Sequence, residues 1–461
     1  MLFNSHIFML LFLPLLLAGW YFLNWKKKFQ LAQGYLIGMS LWFYAYANLQ
    51  YLWLLLFSCL IGWLLSCLPE KIFSEKGKKV LTGVGCVFHL GLLGYFKYSN
   101  FFLENLNTVF HTDFPMLQIL LPVGISFYTF QQLAYLIDRC RGDAPRDSFF
   151  DYLTFMVYFP QLLQGPILLR SEFMGQLKEP ERRRFHAERF SEGIQFFVFG
   201  LAKKVLLADT LAKAVNYGYS NVSMLDSISA LLLAVGYLTE LYFDFSGYCD
   251  MAVGLGKMIG LEVAENFDAP FHSASVKEFW RRWHMTLGRF FTRYVYIPLG
   301  GNRRGKMRTL CNVMIVMLLS GLWHGAAWTF VLWGFLHGVG MIWDNLEHPH
   351  LPKKWMRQAA TFAYVCMTFV FFRAESIAQG IDVLKSIVSL KWNGFVFQMA
   401  SALDMTECYM ITKALSMKLP GLLSWFWLGI FVVLIAICFR VLSGEKVSGV
   451  VALQRQKGYG R

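Results

Sequence analysis

Long apolar runs alternate with short basic segments along the whole chain of 461 residues. Uncharged runs at Ile7–Trp25, Tyr51–Leu68 and Leu422–Phe439 approach the roughly 20 residues that a helix needs to cross a hydrocarbon core. They lack the alternation of polar and apolar residues that is typical of membrane barrels. Because backbone groups in lipid must be hydrogen-bonded within helices or closed barrels, the pattern predicts an all-α polytopic membrane protein, a single domain over residues 1–461 with about 10–12 membrane helices.

Basic clusters predict the topology of these helices. The first cluster, Lys26–Lys28, follows the first apolar run instead of preceding it, so we expect a retained span and no cleaved signal peptide. Since basic loops favour the cytoplasmic side, the N-terminus is expected outside and the C-terminal tail in the cytoplasm. The other clusters are Lys71–Lys79, Arg139–Arg146, Lys178–Arg189, Lys277–Arg308 and Arg440–Arg461.

The apolar run 150–169 conflicts with a simple alternation of crossings, because it lies between two basic segments that both favour the inside. It contains Pro160, Gly165 and Pro166. Irregular backbone at membrane depth is tolerated only where it is buried in protein or lines a cavity. The run therefore predicts a re-entrant segment that helps to wall an internal chamber, with a plain kinked span as the alternative.

Composition excludes several classes of function. Charged residues make up only 16% of the chain, against about 25% in soluble domains. The net charge of +14 is divided among clusters between spans, whereas a nucleic-acid surface needs one coherent basic face, so no nucleic-acid partner is expected. The nine cysteines are scattered without a CxxC pair, and no histidine has a cysteine or carboxylate at ligand spacing, so no metal site is expected.

His324 is the first candidate for chemistry. It lies in an apolar stretch, 310–343, without any Lys, Arg, Asp or Glu, and an ionisable residue at membrane depth is a functional candidate by default. If wholly helical, the stretch would measure about 51 Å, too long for one upright span and too short for two, which predicts a break near His324. Its glycines favour either close helix packing or space for a ligand: Gly321, Gly325, Gly334, Gly338 and Gly340.

Two further segments carry candidate residues. Glu240 and Asp244 share one helix face near Tyr242 and Ser246, and either anchor a basic loop through a buried ion-pair network or contact substrate. The segment 278–294 has amphipathic helical spacing, which predicts a helix at the membrane interface. One face carries Trp280, Trp283, Leu287, Phe291 and Tyr294, the other Arg282, Arg289 and Arg293, and His284 lies at the edge of the apolar face.

Together these elements resemble the membrane-bound O-acyltransferase (MBOAT) family, in particular the branch of the alginate O-acetyltransferase membrane subunit and related bacterial envelope polysaccharide acetylases. The resemblance covers 1–343 and leaves 344–461 as variable C-terminal helices with a basic tail. The matching motifs are Phe279–His284, Tyr296–Arg303, Gly321–Ala326, Leu121–Phe127, Phe159–Gln161, Gln164–Pro166, Lys203–Lys204 with Ala208–Asp209, and Asp244–Tyr248 with Asp250–Ala252.

The resemblance implies helices and re-entrant segments around a central chamber in the bacterial cytoplasmic (inner) membrane. There His324 would be the essential catalytic residue and His284 the second histidine. Such enzymes move a short acyl group, acetyl in the first place, from a cytoplasmic thioester to a hydroxyl acceptor outside. The donor would be acetyl-CoA or another acyl thioester, with no permanently bound cofactor. An extracytoplasmic acetyltransferase or polysaccharide-modifying protein would be the partner. A neutral imidazole suits the general-base role near neutral pH.

The expected substrate-binding residues are Trp323, Trp280, Trp283, Arg281, Arg282, Tyr242, Asp244 and Ser246. The arginines either meet the phosphates of coenzyme A or only mark a cytoplasmic loop. The chain departs from the family pattern at Thr292-Arg293, where Arg-Asp is usual, and at Ala327, where Asn is usual. His272 replaces the usual Tyr and is interpreted as structural.

Two other classes of function stay open. One is another acyltransferase of the same fold, acting on D-alanyl or lipid substrates. The other is a transporter without covalent chemistry. The broken helices favour this class, whereas the two histidines favour an enzyme.

Overall fold

The computed structural model describes residues 1–67, 75–346, 353–403, 405 and 408–443. Helices and their connections account for this part of the chain, which contains no β-strand, so the predicted all-α class is confirmed. Much of the predicted basic segment 71–79 and most of the basic tail lie outside the described residues.

The α-helices are given in chain order: α1 Leu13–Trp25, α2 Phe29–Asn48, α3 Leu52–Cys67, α4 Glu75–Leu93, α5 Ser99–Phe110, α6 Ile125–Arg141, α7 Phe149–Val157, α8 Phe159–Leu162, α9 Arg170–Leu177, α10 Ala187–Ala202, α11 Asp209–Ser220, α12 Ser227–Ile259, α13 Val276–Arg282, α14 Met285–Phe291, α15 Lys306–His324, α16 Trp328–Asn345, α17 Lys354–Arg373, α18 Ile377–Val388, α19 Phe395–Ser401, α20 Tyr409–Lys418 and α21 Pro420–Ser443. The described residues also include four π-helical segments. Phe8–Phe12 directly precedes α1, and Gly94–Tyr98, Lys203–Ala208 and Thr292–Tyr296 lie between later helices.

Six stretches of helix in the described residues are long and apolar enough to cross a membrane. They are Phe8–Trp25, Leu49–Cys67, Lys76–Phe110, Ser227–Ile259, Lys306–His324 and Gly421–Cys438. The three apolar runs first identified in the sequence are among them, which confirms a multi-pass membrane protein. The count of 10–12 membrane helices stays a prediction.

The chain divides into two compact units. The first comprises residues 1–198, 248–265 and 286–298, and the second comprises 199–247, 266–285 and 299–461. In the first unit the rings of Phe12 and Phe43 pack on Phe159 at 5.3 and 5.2 Å. In the second unit α11, α12, α17, α19 and α21 contribute to a single hydrophobic core.

The run 150–169, expected to be re-entrant, has a broken backbone within the first unit. Helix α7 ends at Val157, the short α8 carries Pro160 and Gln161, and residues 165–169 are not helical. Both α8 residues are buried, and the Gln161 side-chain amide donates to the carbonyl of Phe155. The irregular backbone is therefore enclosed by protein, as the sequence predicts, while its path relative to the membrane stays a prediction.

Candidate active site

His324 is the last residue of α15, at a break between two closely packed helices of the second unit. The backbone turns extended at Gly325 and Ala327 before α16 begins, so the predicted break is confirmed. Gly321 and Gly334 face each other, and a Cβ on either would lie 3.3 Å from the Cα of the other. At this pair the glycines serve close helix approach, the first of the two interpretations of these positions.

The imidazole of His324 lies in an aromatic surround. Its centroid is 4.9 Å from the Trp323 ring, 5.2 Å from the Trp333 ring and 5.0 Å from the Phe372 ring, each in an edge-to-face arrangement. The side chain is only half-buried. His324 is thus held by rings on several sides and is still partly accessible, an arrangement that suits a group exchanging protons with a ligand.

His284 corrects the predicted interfacial helix over 278–294. The segment forms α13, a break at Trp283–His284, α14 and a π-helical stretch. His284 itself has φ of 45°, a left-handed conformation that is unusual for a histidine. The backbone of 266–268 causes the break: Met285 N–H donates to the Asn266 carbonyl at 3.0 Å, and Asp268 N–H to the Arg282 carbonyl at 2.9 Å.

The left-handed turn directs the His284 ring inward. The side chain is 1% exposed, its Nδ1 lies 3.4 Å from Asn266 Oδ1, and Phe245 packs edge-on at 4.7 Å. His284 lies outside the candidate spans, and burial lowers its pKa to about 3. The imidazole is therefore neutral at physiological pH, and it is enclosed by protein. Backbone strain of this kind clusters at functional sites.

Trp323 lies against both histidines. Its indole is 6.0 Å from the His284 ring and 4.9 Å from the His324 ring, and it is itself buried. The fold thus brings together the two imidazoles that are forty residues apart in the sequence, with the indole of Trp323 beside each.

Trp280 belongs to a hydrogen-bonded chain that the sequence did not reveal. Its Nε1–H donates to Nδ1 of His337 at 3.2 Å, and Nε2 of His337 lies 2.9 Å from the Thr368 hydroxyl. Because Nδ1 accepts, the His337 proton must be on Nε2, which donates to Thr368, whose hydroxyl in turn donates to the Val365 carbonyl. His337 is 0% exposed. This histidine is therefore satisfied on both nitrogens and acts in packing.

Trp283 and Tyr242 lie in the same buried aromatic layer, with ring centroids 6.1 Å apart. Phe267 packs edge-on to both rings, at 5.1 and 5.4 Å. Because both side chains are buried, Trp283 and Tyr242 fit a structural role beside the site better than direct contact with a substrate. Their role in substrate binding stays a prediction.

Asp244 joins two of the sequence motifs. Lys204, in the π-helical segment of Lys203–Ala208, pairs with Asp244 at 2.5 Å and with Asp209 at 2.7 Å. This contact agrees with the ion-pair interpretation of Asp244. Ser246, two residues later, is 2% exposed, and its hydroxyl has no hydrogen-bond partner among the described residues.

The two adjacent arginines differ in their surroundings. Arg282 pairs with Glu278 at 2.9 Å and donates to the Asp268 carbonyl at 3.2 Å, so it fixes the end of α13. Arg281 is exposed and forms no ion pair with a described residue. Arg281 is therefore the better candidate of the two for an anionic ligand.

The unusual Thr292-Arg293 dipeptide is explained by contacts within the first unit. Arg293 pairs with Asp138 and Asp143, each at 2.9 Å, and Tyr294 also donates its hydroxyl to Asp138 at 2.9 Å. The arginine thus forms ion pairs of its own without a neighbouring carboxylate. At Ala327, the other departure, α16 begins without a side-chain cap.

The second unit contains a cleft of about 940 Å³ between α13, α16 and α17. Lys277, Asp344, Arg357 and Tyr364 are among its lining residues, and neither His284 nor His324 is. The central chamber expected around His324 therefore stays a prediction.

Comparison with known proteins gives the site its context. The model of the membrane-bound O-acyltransferase family matches residues 141–380, which include both histidines. The chain belongs to the MBOAT family. As a member it is a membrane-bound O-acyltransferase, which confirms the resemblance found in its motifs and the expectation of an enzyme.

Three relatives refine this placement within the MBOAT family. The chain is 35% identical to the peptidoglycan O-acetyltransferase of Helicobacter pylori over 423 residues, covering 85% of this chain and 80% of that protein. It is 39% identical to the probable alginate O-acetylase AlgI of Azotobacter vinelandii, covering 82% and 76%. The teichoic acid D-alanyltransferase of Streptococcus thermophilus is 28% identical, covering 52% and 58%. This MBOAT protein is therefore related to polysaccharide O-acetyltransferases.

Several residues that complete the site were missed from the sequence. Phe372 contacts His324 from α17, and Asn266 and Phe245 contact His284. Phe245 lies inside the matching motif Asp244–Tyr248, which was an available signal. Neither spacing nor periodicity connects Phe372 or Asn266 with the histidines.

Proposed function

We propose that the protein transfers an acyl group, acetyl in the first place, from a cytoplasmic thioester to hydroxyls of an extracytoplasmic polysaccharide. The observation that carries the proposal is the half-buried His324 at a helix break, beside an indole that also contacts a neutral His284. Similarity to a peptidoglycan O-acetyltransferase and to probable alginate O-acetylases supports acetyl as the acyl group and a glycan as the acceptor class.

In the proposed reaction His324 is the general base. Its neutral imidazole takes the proton of the acceptor hydroxyl while the hydroxyl oxygen attacks the thioester carbonyl. The tetrahedral intermediate then collapses: the C–S bond breaks, an ester C–O bond remains, and the imidazolium returns its proton to the departing thiolate. His284 is neutral because of its lowered pKa, and its one ring N–H lies at Nδ1, which faces the accepting Oδ1 of Asn266 at 3.4 Å, so we assign His284 to positioning the acyl group.

The donor is acetyl-CoA or another acyl thioester, with no cofactor held between turnovers. Arg281 is the residue we assign to the donor phosphates, because its guanidinium is exposed and Arg282 is already paired with Glu278. The membrane is the bacterial inner membrane, with the N-terminus outside and the C-terminal tail in the cytoplasm. An extracytoplasmic protein that modifies the polysaccharide is the expected partner.

Acyl transfer by the purified protein in lipid nanodiscs tests the proposal. With labelled acetyl-CoA, His324→Gln is expected to lower transfer by about 10²–10⁴-fold, the usual contribution of a general base. His272→Gln is the matched control, because His272 is exposed and lies outside the described site. Equal activity of the two variants would remove His324 from the mechanism.

A D-alanyltransferase is the second candidate function, favoured by the similarity to teichoic acid D-alanyltransferase. Parallel assays with acetyl-CoA, palmitoyl-CoA and a D-alanyl carrier-protein thioester separate the candidates. Acetyl transfer is expected to be fastest. A preference for the carrier-protein thioester would establish the alternative, and a preference for palmitoyl-CoA would indicate a lipid enzyme.

A further inference from the structure

A polar cluster lies beside the ring that contacts His324. It consists of Glu240 on α12, Asn216 and Tyr219 on α11, and Arg373 at the end of α17, and we refer to it as the Glu240 cluster. Arg373 directly follows Phe372, whose ring is 5.0 Å from the His324 ring. The end of α17 thus carries both a ring that contacts the candidate base and the cationic residue of the cluster.

The cationic part of the Glu240 cluster is fixed in place. Arg373 Nη2 donates to Asn216 Oδ1 at 2.9 Å, and its guanidinium carbon lies 5.0 Å from the centroid of the Tyr219 ring. The Tyr219 carbonyl accepts from Gln379 Nε2 at 3.2 Å, and the Tyr237 ring packs edge-on at 6.0 Å. The arginine and the tyrosine are thus held before any ligand arrives.

Two polar atoms of the cluster are buried and lack a partner in the described residues. They are Oε2 of Glu240 and the hydroxyl of Tyr219, a side chain only 3% exposed. Arg373 is the opposite charge that acts most strongly on Glu240, yet no ion pair joins the two. Because buried polar groups without partners are costly, their retention together points to a ligand that supplies the missing hydrogen bonds.

The chemistry of the cluster restricts that ligand. A carboxylate only accepts hydrogen bonds and a guanidinium only donates them, so the ligand must do both within a short distance. A phosphate would be repelled by Glu240 and Asp244, and an ammonium by Arg373 and Lys204. Neighbouring hydroxyls on a sugar ring donate to the carboxylate and accept from the arginine. Asn216 is exposed and Tyr219 is buried, so the cluster has an accessible side and a buried side.

We propose that the Glu240 cluster is the subsite for the hydroxyl-bearing saccharide acceptor. This inference rests on the proposed function and adds to it the residues that select the acceptor. Glu240 and Tyr219 bind the sugar hydroxyls, Arg373 binds a sugar oxygen, and the neighbouring hydroxyl is thereby positioned at His324.

Saturation-transfer NMR of the full-length protein in detergent micelles tests the subsite, with alginate oligosaccharides and peptidoglycan glycan tetrasaccharides as probes. Glu240→Gln keeps the shape and is expected to weaken saccharide binding by about tenfold, and Tyr219→Phe by about three- to tenfold, the usual size of a lost hydrogen bond. The matched controls are Glu375→Gln and Tyr217→Phe, exposed residues near the same helix ends. Both controls are expected to bind like the wild type.

Two further measurements make the result decisive. In acyl transfer, Glu240→Gln is expected to raise KM for the saccharide about tenfold and to leave KM for acetyl-CoA within twofold. Inorganic phosphate is expected not to compete with the saccharide. Saccharide binding that is equal in Glu240→Gln and Glu375→Gln, competition by phosphate, or an equal rise of both KM values would each overturn the subsite. If Glu240→Gln fails to fold, Tyr219→Phe decides.

Acyl transfer and saccharide binding together distinguish a wrong subsite from a wrong proposed function. His324→Gln is expected to abolish acyl transfer and still to bind saccharide in the NMR experiment. If no acyl transfer depends on His324, the proposed function fails, while saccharide binding that depends on Glu240 would still establish the subsite.

Discussion

Two histidines of the second unit contact the same tryptophan and yet have different surroundings. The Trp333 ring is 5.2 Å from His324 and 4.9 Å from His337. His337 is completely buried in the middle of α16, with hydrogen bonds at both nitrogens. His324 ends α15 and is only half-buried. A histidine inside an apolar segment is thus a packing residue where its nitrogens are used by the fold, and a candidate for chemistry where a helix break leaves it accessible.

The same contrast applies to the charged residues. Asp244, Lys204 and Asp209 satisfy one another, and Arg282 is paired with Glu278. Glu240 keeps a buried oxygen without a partner in the described residues. Paired charges maintain the architecture and add little to the free energy of folding. A buried polar atom without a partner lowers the stability of the fold and is retained in spite of that. Partners therefore separate the functional candidates from the structural ones better than residue type does.

Replacement of His337 by alanine is the strongest test of this contrast. The variant leaves a cavity and removes the partner of both Trp280 and Thr368, so we expect a loss of about 2–4 kcal/mol in the free energy of unfolding. Because His337 is assigned to packing, acyl transfer per folded molecule is expected to stay within about threefold. Denaturant unfolding combined with activity at 4 °C checks both. If the variant folds but its acyl transfer is as low as that of His324→Gln, the assignment of His337 to packing alone is wrong.

Gly321→Ala tests whether the position of His324 depends on the close approach of α15 and α16. A Cβ at this position meets the Phe330 carbonyl and the Cα of Gly334, so the helices must separate. We expect a loss of about 1–3 kcal/mol in stability, as in other overpacked cores, together with a reduced kcat because the base moves. Gly91→Ala is the control, since a Cβ there meets nothing within 4 Å. Equal stability and equal kcat of the two variants would show that α15 and α16 can separate without moving His324.

The helical architecture and the break at His324 were predictable because both follow from local pattern. A stretch too long for one span and too short for two had to be interrupted, and glycines flank the interruption at Gly321 and Gly325. The continuous helix predicted over 278–294 was wrong for a non-local reason. Its periodicity runs unbroken through Trp283 and His284, and the backbone that breaks it belongs to Asn266, far from the segment in the sequence.

The candidate site residues also divide into those that a local motif reveals and those that only non-local contacts reveal. The sequence pointed to His284, His324 and Trp323 through recognisable motifs, and the structure brings them together. It could not point to Phe372 or Arg373, because they arrive from α17, beyond the part of the chain that carries the resemblance. Contacts between distant helices have no periodicity to reveal them.

Acid sensitivity is the smallest of these effects, and it concerns the buried His284. Its pKa of about 3 in the folded protein lies below the unfolded value of about 6.5, so between these values the unfolded state binds the additional proton. The stability that the neutral ring contributes is complete above pH 6.5 and is lost as the pH falls toward 3. At pH 5.5 the loss from this one group is about 1.4 kcal/mol relative to high pH.

His284→Asn isolates this contribution, because asparagine tolerates the left-handed backbone at this position and does not titrate. Denaturant unfolding gives the free energy of unfolding of the wild type and the variant at pH 7.5 and 5.5. Between these two pH values the variant is expected to lose about 1.4 kcal/mol less stability than the wild type. His272→Asn should match the wild type, since His272 is exposed. Equal acid sensitivity of His284→Asn and wild type would mean that the imidazole is accessible to protons in the folded protein. His284 would then resemble His324 more than His337, and the neutral role assigned to it in positioning the acyl group would fail.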